Sequence, residues 1–407
     1  MTEVEGVGDA ALDDDWCAHH FDHLSPPLAA DLHATLARMR ERHPVTWSEE
    51  HGGFWVVTGY EDVLRVAQDW RTFSSAEGVS VPPPPAKVNA IPEVMDPPEH
   101  RRYKRLINAW FTPAVVAGYE GATRALVTRL VDGFAADGRC EFMDAFARPF
   151  PGLAFFDQVL HAPPDRVAEL SEMATIASTT GHPGRPAAWQ GMAAWITDFV
   201  AGRRAAPPRG DVVDAVLAAE IDGAPISDHD ILGVIQLLIL GGLETTAGAL
   251  GQFMVRFCED PEIPERLRAE PAALPAAIEE LLRLDPPFVF IARLATRDTE
   301  LGGHRVRAGQ RVLISWASAN RDAGEFACPH AFDAERASNR HLTFGAGPHR
   351  CAGSNLARMN LRIALEELLA RLHDIRLQDG AEIEYHSVMN RSPVAVPIAF
   401  TPGGGHR

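Results

Sequence analysis

Between Ile231 and Leu250 the chain is apolar over a length that would cross a bilayer, and any fold has to dispose of that stretch first. Gln236, the pair Gly241-Gly242 and the run Glu244-Thr245-Thr246 interrupt it. A carboxylate in mid-membrane is costly, so the stretch reads as a helix enclosed within a large soluble protein. Ser227-Asp228-His229-Asp230, immediately upstream, has capping-box spacing and opens that helix. Enclosing it takes a big core. With 407 residues, 46% of them hydrophobic, the chain has the material.

The formal net charge of −17 argues against a nucleic-acid binder, which would carry a basic domain or stripe. The acidic start, Met1 to Asp15, resembles neither a secretory signal nor a transit peptide, and a cytoplasmic protein without membrane attachment is expected. Cys17, Cys140, Cys258, Cys328 and Cys351 are scattered, with no Cys-x-x-Cys pair. They support neither a disulfide framework nor a structural zinc site, which fits a reducing compartment.

No internal repeat or Gly/Ser linker divides the chain, so one domain over residues 1–407 is expected, with residues 1–30 irregular. Periodicity predicts helices over Asp31 to Arg42, Tyr60 to Trp70, Pro275 to Leu284 and Ala352 to Leu372, and a largely helical stretch from Pro97 to Ala219. Val45 to Ser48 with Phe54 to Thr58 reads as a hairpin, and Ile291 to Thr296, His304 to Arg307 and Arg311 to Ser315 as short strands. Ser74 to Met95, with Pro82 to Pro85 at its centre, is a loop long enough to be a lid or binding loop. The fold class is mainly α with a small β portion.

The chemistry concentrates in Phe344-Gly345-Ala346-Gly347-Pro348-His349-Arg350-Cys351-Ala352-Gly353. Two glycines and a proline make a tight loop whose backbone can approach a partner closely. The cysteine then sits at a helix start, where the dipole and free N–H groups favour a thiolate. Such a thiolate suits an iron-porphyrin. In the apolar helix, Gly241-Gly242 weakens the backbone ladder, and Glu244 beside Thr245 offers an acid and a hydroxyl for moving protons. Glu280 and Arg283, at i and i+3, share one face of a helix otherwise rich in leucine.

The cysteine loop resembles, position by position, the haem-binding loop of the cytochrome P450 family, and the likeness extends over about Asp31 to Leu372. The resemblance implies that fold, with a long central helix over the haem. It implies haem b, held through Cys351 as the axial iron ligand, with Phe344, Gly353 and Gly241 against the cofactor. It also implies Glu244 and Thr245 as the acid–alcohol pair of oxygen activation, and Glu280, Arg283 and Arg336 as a structural triad. His100, Lys104, Arg293 and His349 match positions that grip the haem propionates, Lys104 standing where the family usually has Arg.

The activity implied is a monooxygenase inserting one atom of O2 into a hydrophobic small molecule. Oxidative coupling or dehydrogenation on the same motifs, and a haem-based sensor without turnover, are the alternatives. The chain has no flavin or nicotinamide segment, so electrons are expected from a separate ferredoxin or flavodoxin with its reductase. Arg101, Arg102, Lys104 and Arg105, with Arg350 and Arg358, form a basic patch suited to such an acidic partner. Leu237, Leu240, Val289 and Phe290 are expected to line the substrate pocket, and no cluster of arginines marks a reader of a substrate carboxylate.

Overall fold

The sequence puts most of its apolar residues at helical spacing, and a computed structural model turns them into a mainly helical molecule with small sheets. It describes residues 12–83, 88–179, 181–385 and 389–403. The helices that position the site are α1 (Asp14–His19), α2 (Pro26–Arg42), α3 (Tyr60–Gln68), α4 (Glu99–Asn108), α5 (Val167–Ser178), α6 (Arg185–Ala205), α7 (Asp228–Glu259), α8 (Leu274–Leu284) and α9 (Ser354–Arg371).

The apolar stretch is the middle of α7. Ser227 caps it as the sequence predicts, its hydroxyl accepting the Asp230 N–H at 3.1 Å. Among the described helices it alone is long and apolar enough to cross a membrane, and most of its apolar window is enclosed by the rest of the fold. Flanking it are α5 and α6, two helices that also pack against each other.

A five-stranded sheet stands to one side, built from β1 (Val45–Ser48), β2 (Phe54–Val57), β3 (Phe73–Ser74), β4 (Phe290–Ala295) and β5 (Arg311–Ser315) in the order β1-β2-β5-β4-β3. β2 and β5 run parallel and the other pairs antiparallel. Along β4 the side chains alternate as a pleated strand requires. Phe290 and Ala292 enter a core with Phe21, Leu28, Leu32 and Leu36, while Ile291 and Arg293 turn the other way, toward a cavity.

Two expectations are corrected here. The segment expected to be irregular before Asp31 holds α1, capped by Asp13, and the first turn of α2, where Pro26 and Pro27 occupy positions that tolerate proline. Asp31 marks a kink inside α2 (φ −114°, ψ 25°) rather than its start. The long loop of Ser74 to Met95 is seated on α7: Asn89 donates to the His229 carbonyl at 2.8 Å and Ile91 N–H to that of Gly233 at 3.3 Å. Pro84 and Pro85 lie outside the described residues.

Candidate active site

A cavity of about 420 Å³ opens between the cysteine loop and the middle of α7. Its floor is set by the loop geometry. Gly345 and Gly347 adopt φ of +68° and +67°, and a Cβ on Gly347 would sit 2.7 Å from the Ala67 carbonyl of α3. Only glycine allows both that conformation and that approach. The Cys351 N–H donates to the Phe344 carbonyl at 2.8 Å, which folds the loop back on itself. The helix begins at Ser354, two residues later than expected, so the thiol lies just outside it and receives the Gly353 N–H. Cys351 faces the cavity, not the outer surface. Burial pushes its thiol pKa up, with the Lys104 ammonium foremost among the groups opposing that.

Four bases converge at one edge. His100 and His349 lie with ring centroids 4.4 Å apart, beside the wholly buried Arg293 and the half-buried Lys104. Among the described residues, Nδ1 of His100 and Nε2 of His349 are buried without a hydrogen-bond partner, and Arg293 donates only to the neighbouring Ala292 carbonyl. Burial, then the facing cations, hold His349 down at about 2, and burial with the Lys104 charge holds His100 at about 4. Lys104 Nζ donates to the Arg350 carbonyl at 2.8 Å, tying α4 to the cysteine loop. Bases packed together with donors to spare are a site for anions, which is what two haem propionates supply.

The opposite wall is α7. A Cβ on Gly241 would meet nothing within 4 Å, so the backbone there borders open cavity, whereas one on Gly242 would strike the Phe155 ring at 2.8 Å. The Thr245 hydroxyl bonds the Gly241 carbonyl at 3.3 Å and faces the same space. Glu244 is buried and holds Asn390 Nδ2 at 2.7 Å, with the Thr175 and Ser178 hydroxyls of α5 completing its shell. Burial raises its pKa despite those bonds. A thiol facing open space bordered by glycine, with unsatisfied bases at one edge, fits haem.

The cytochrome P450 family profile matches residues 184–385. The steroid C26-monooxygenase of Mycobacterium tuberculosis is 32% identical over 91% of this chain and 94% of its own. The chain belongs to the cytochrome P450 family. Nocardicin C N-oxygenase of Nocardia uniformis is 34% identical, covering 92% of this chain and 97% of that one. The structure of CYP109E1 from Bacillus megaterium in complex with testosterone superposes with a TM-score of 0.84 at 25% identity, over 92% and 99% of the two chains. This P450 is accordingly a haem monooxygenase, an enzyme that takes a hydrophobic substrate and electrons from a redox partner.

The structure of this P450 places the remaining sequence-derived residues as follows. Glu280 and Arg283 are completely buried and joined by two bonds of 2.7 Å, and Arg336 adds its guanidinium to Glu280 at 3.0 and 3.2 Å. None of the three borders the cavity. Arg283 also donates to the carbonyls of Asn320, Pro329 and Ala331, so the group locks α8 to the segment leading to the cysteine loop. Leu237, Leu240, Phe344 and Gly353 line the cavity.

Val289 and Phe290 do not. Both are fully buried in the core against α1 and α2, because the pleat of β4 sends Phe290 away from the site. Phe288 and Ile291 take their places. The basic patch is also thinner than expected: Arg102 pairs with Asp222 and Arg358 with Glu279, leaving Arg101, Arg105 and Arg350 exposed without an acidic partner among the described residues. Sequence reasoning missed Asn390, Thr175 and Ser178 around Glu244, and Glu93, whose buried carboxyl borders the cavity near Arg293 and Lys104. None of these carries a local signal.

Proposed function

We propose that this P450 works as one domain in the cytoplasm, holds haem b through Cys351, and draws electrons from a separate ferredoxin or flavodoxin with its reductase. Haem, when bound, supplies an iron centre that activates O2 and places one of its atoms in the substrate while the other leaves as water. His100, Lys104, Arg293 and His349 would hold the propionates with their unmatched donors. Phe344, Gly353 and Gly241 would border the ring. The observation that carries this reading is the thiol of Cys351 sharing one cavity with those four bases, two of which have a buried ring nitrogen without a partner among the described residues.

Glu244 and Thr245 would deliver protons. A carboxyl whose pKa is raised by burial keeps a proton to give, and Asn390, Thr175 and Ser178 hold it in place beside the distal wall. Thr245 carries a hydroxyl that spends its proton on the Gly241 carbonyl at 3.3 Å, a long bond easily exchanged for one to a ligand. The Glu280–Arg283–Arg336 group takes no part in the chemistry and shapes the pocket from outside. Arg101, Arg105 and Arg350, near the cysteine loop, support docking of an acidic electron carrier.

Reduced protein exposed to carbon monoxide is expected to show the strongly red-shifted Soret band of a thiolate-ligated haem. Purified protein without haem, or a Cys351→His variant with the same band, overturns the reading. Leu237, Leu240, Phe288 and Ile291 make the substrate side largely apolar. The relatives point to different molecules, a steroid for one and nocardicin C for another, so the choice of substrate rests on this chain's own pocket.

A further inference from the structure

Nearly every buried arginine in this protein faces a carboxylate or a run of carbonyls. Arg203 meets Asp211 and Asp214, Arg256 and Arg321 meet Asp285, Arg283 and Arg336 meet Glu280, and Arg358 meets Glu279. Arg293 belongs to the propionate edge. Arg391 rests on the Ala29 carbonyl and the Tyr385 ring and does not border the cavity. Arg185, the first residue of α6, is the further exception. It is half-buried, borders the cavity, and has no acidic partner among the described residues.

Among the described residues its one hydrogen bond runs from Nε to the Ala177 carbonyl at the end of α5, 2.8 Å away, and neither Nη group has a partner there. That bond fixes where the guanidinium stands. Ala177 precedes Ser178, whose hydroxyl bonds Glu244, so Arg185 is anchored on the α7 side of the cavity, apart from the His100–His349 edge. Glu244 does not neutralise it: the groups acting on that carboxyl are Thr175, Ser178 and Asn390. Burial lowers the Arg185 pKa and no anion opposes the shift.

One turn along α6, Trp189 borders the same cavity, and its indole N–H is buried with no acceptor among the described residues. Positions i and i+4 share a helix face. A guanidinium with two spare N–H groups and an unsatisfied indole therefore stand together over an otherwise apolar pocket. Two unmet donors on one face call for an acceptor that none of the described residues provides.

We propose that the substrate is an apolar molecule bearing a carboxylate, which Arg185 binds through its Nη groups while Trp189 supplies a neighbouring donor. This rests on the reading of the cavity as the substrate site of a haem oxygenase. An arginine–carboxylate contact fixes orientation as well as affinity, so the acid end would be held beside α6 and the apolar skeleton directed toward Thr245 and the cysteine face.

The test titrates holoenzyme with matched pairs of acid and methyl ester on three skeletons: dodecanoic, abietic and cholanic. Binding is read by the spin-state shift of ferric haem and, independently, by calorimetry. At least one acid is expected to bind about tenfold more tightly than its ester, the scale of one charge-assisted hydrogen-bonded contact. Arg185→Gln should remove that preference and leave ester binding unchanged, Arg185→Lys should keep part of it, and Trp189→Phe should weaken the acid by a smaller factor. If no acid outbinds its ester, or if Arg185→Gln weakens acid and ester alike, the proposal is overturned. The carbon monoxide band of the same samples separates the two levels. Its absence from wild-type protein sinks the oxygenase reading, and its presence without acid preference sinks only the carboxylate.

Discussion

Two groups of buried charge lie a short way apart in this P450 and are built on opposite plans. Around Glu280, every guanidinium of Arg283 and Arg336 has a carboxylate or carbonyl, and the carboxylate also accepts from Asn339 and the Asp333 N–H. Burial alone would raise the Glu280 pKa, yet the two arginines hold it below the usual range. At the cavity edge, burial lowers the pKa of His100, Lys104, Arg293 and His349, neighbouring cations lower the two histidines further, and a ring nitrogen of each histidine has no partner among the described residues. A closed network is a piece of scaffold. An open one with cations in excess of carboxylates is a receptor, stabilised further once its counter-charge arrives.

The largest effect expected from that contrast is on the closed network. Glu280→Gln leaves two buried guanidiniums without their charge and should cost about 3–5 kcal/mol of folding stability, measured by urea unfolding. Arg293→Leu should behave otherwise. Removing a cation whose burial outweighs the pull of Glu93 and Asp96 should leave the haem-free protein nearly as stable as before. Haem release should then quicken by about tenfold or more, followed by transfer to an acceptor protein. If Arg293→Leu unfolds the haem-free protein as readily as Glu280→Gln, the distinction between scaffold and receptor fails.

Glu244 and Thr245 form a third case, satisfied yet facing a site. Thr245→Ala should fold normally and still consume NADH with a surrogate ferredoxin and reductase. Product per electron should fall about tenfold or more, in line with the loss of a positioned proton donor. Unchanged coupling would remove Thr245 from the proton path.

The smallest effect concerns Glu279, about one quarter exposed, which Arg358 and His341 hold at about 2 against the pull of burial. Its folded pKa lies below the unfolded value of about 4.3, so its contribution is complete above that pH and is lost as pH falls through about 2. Screening limits it to about 1 kcal/mol. Glu279→Gln should flatten the acid limb of the thermal midpoint plotted against pH, and an unaltered limb would show the pair to be idle.

The parts of the site legible in the sequence are those whose chemistry is local. The Phe344–Gly353 loop, the Gly-Gly-Leu-Glu-Thr-Thr run and the Glu-x-x-Arg pair each place their groups within a few residues, and each stands where expected relative to the cavity. Val289 and Phe290 were misplaced because a strand's phase is set by its sheet partners, not by its own letters. Arg185, Trp189, Glu93 and Asn390 were not legible at all. They reach the cavity from α6, from the loop on α7 and from the carboxyl-terminal segment, and only the folded chain brings them together.

The pleat of β4 has a consequence for how such an enzyme can change over generations. Ile291 meets whatever enters the cavity, while Phe290, one residue away, is pinned between the amino-terminal helices and the sheet. A mutation at the first can retune what the enzyme accepts at a smaller cost in folding, since one side of Ile291 borders open space; a mutation at the second is filtered out before any new activity is exposed to selection. A single strand thus separates a position open to drift from a neighbour under tight constraint, and new specificities have a narrow but safe route through the alternate residues.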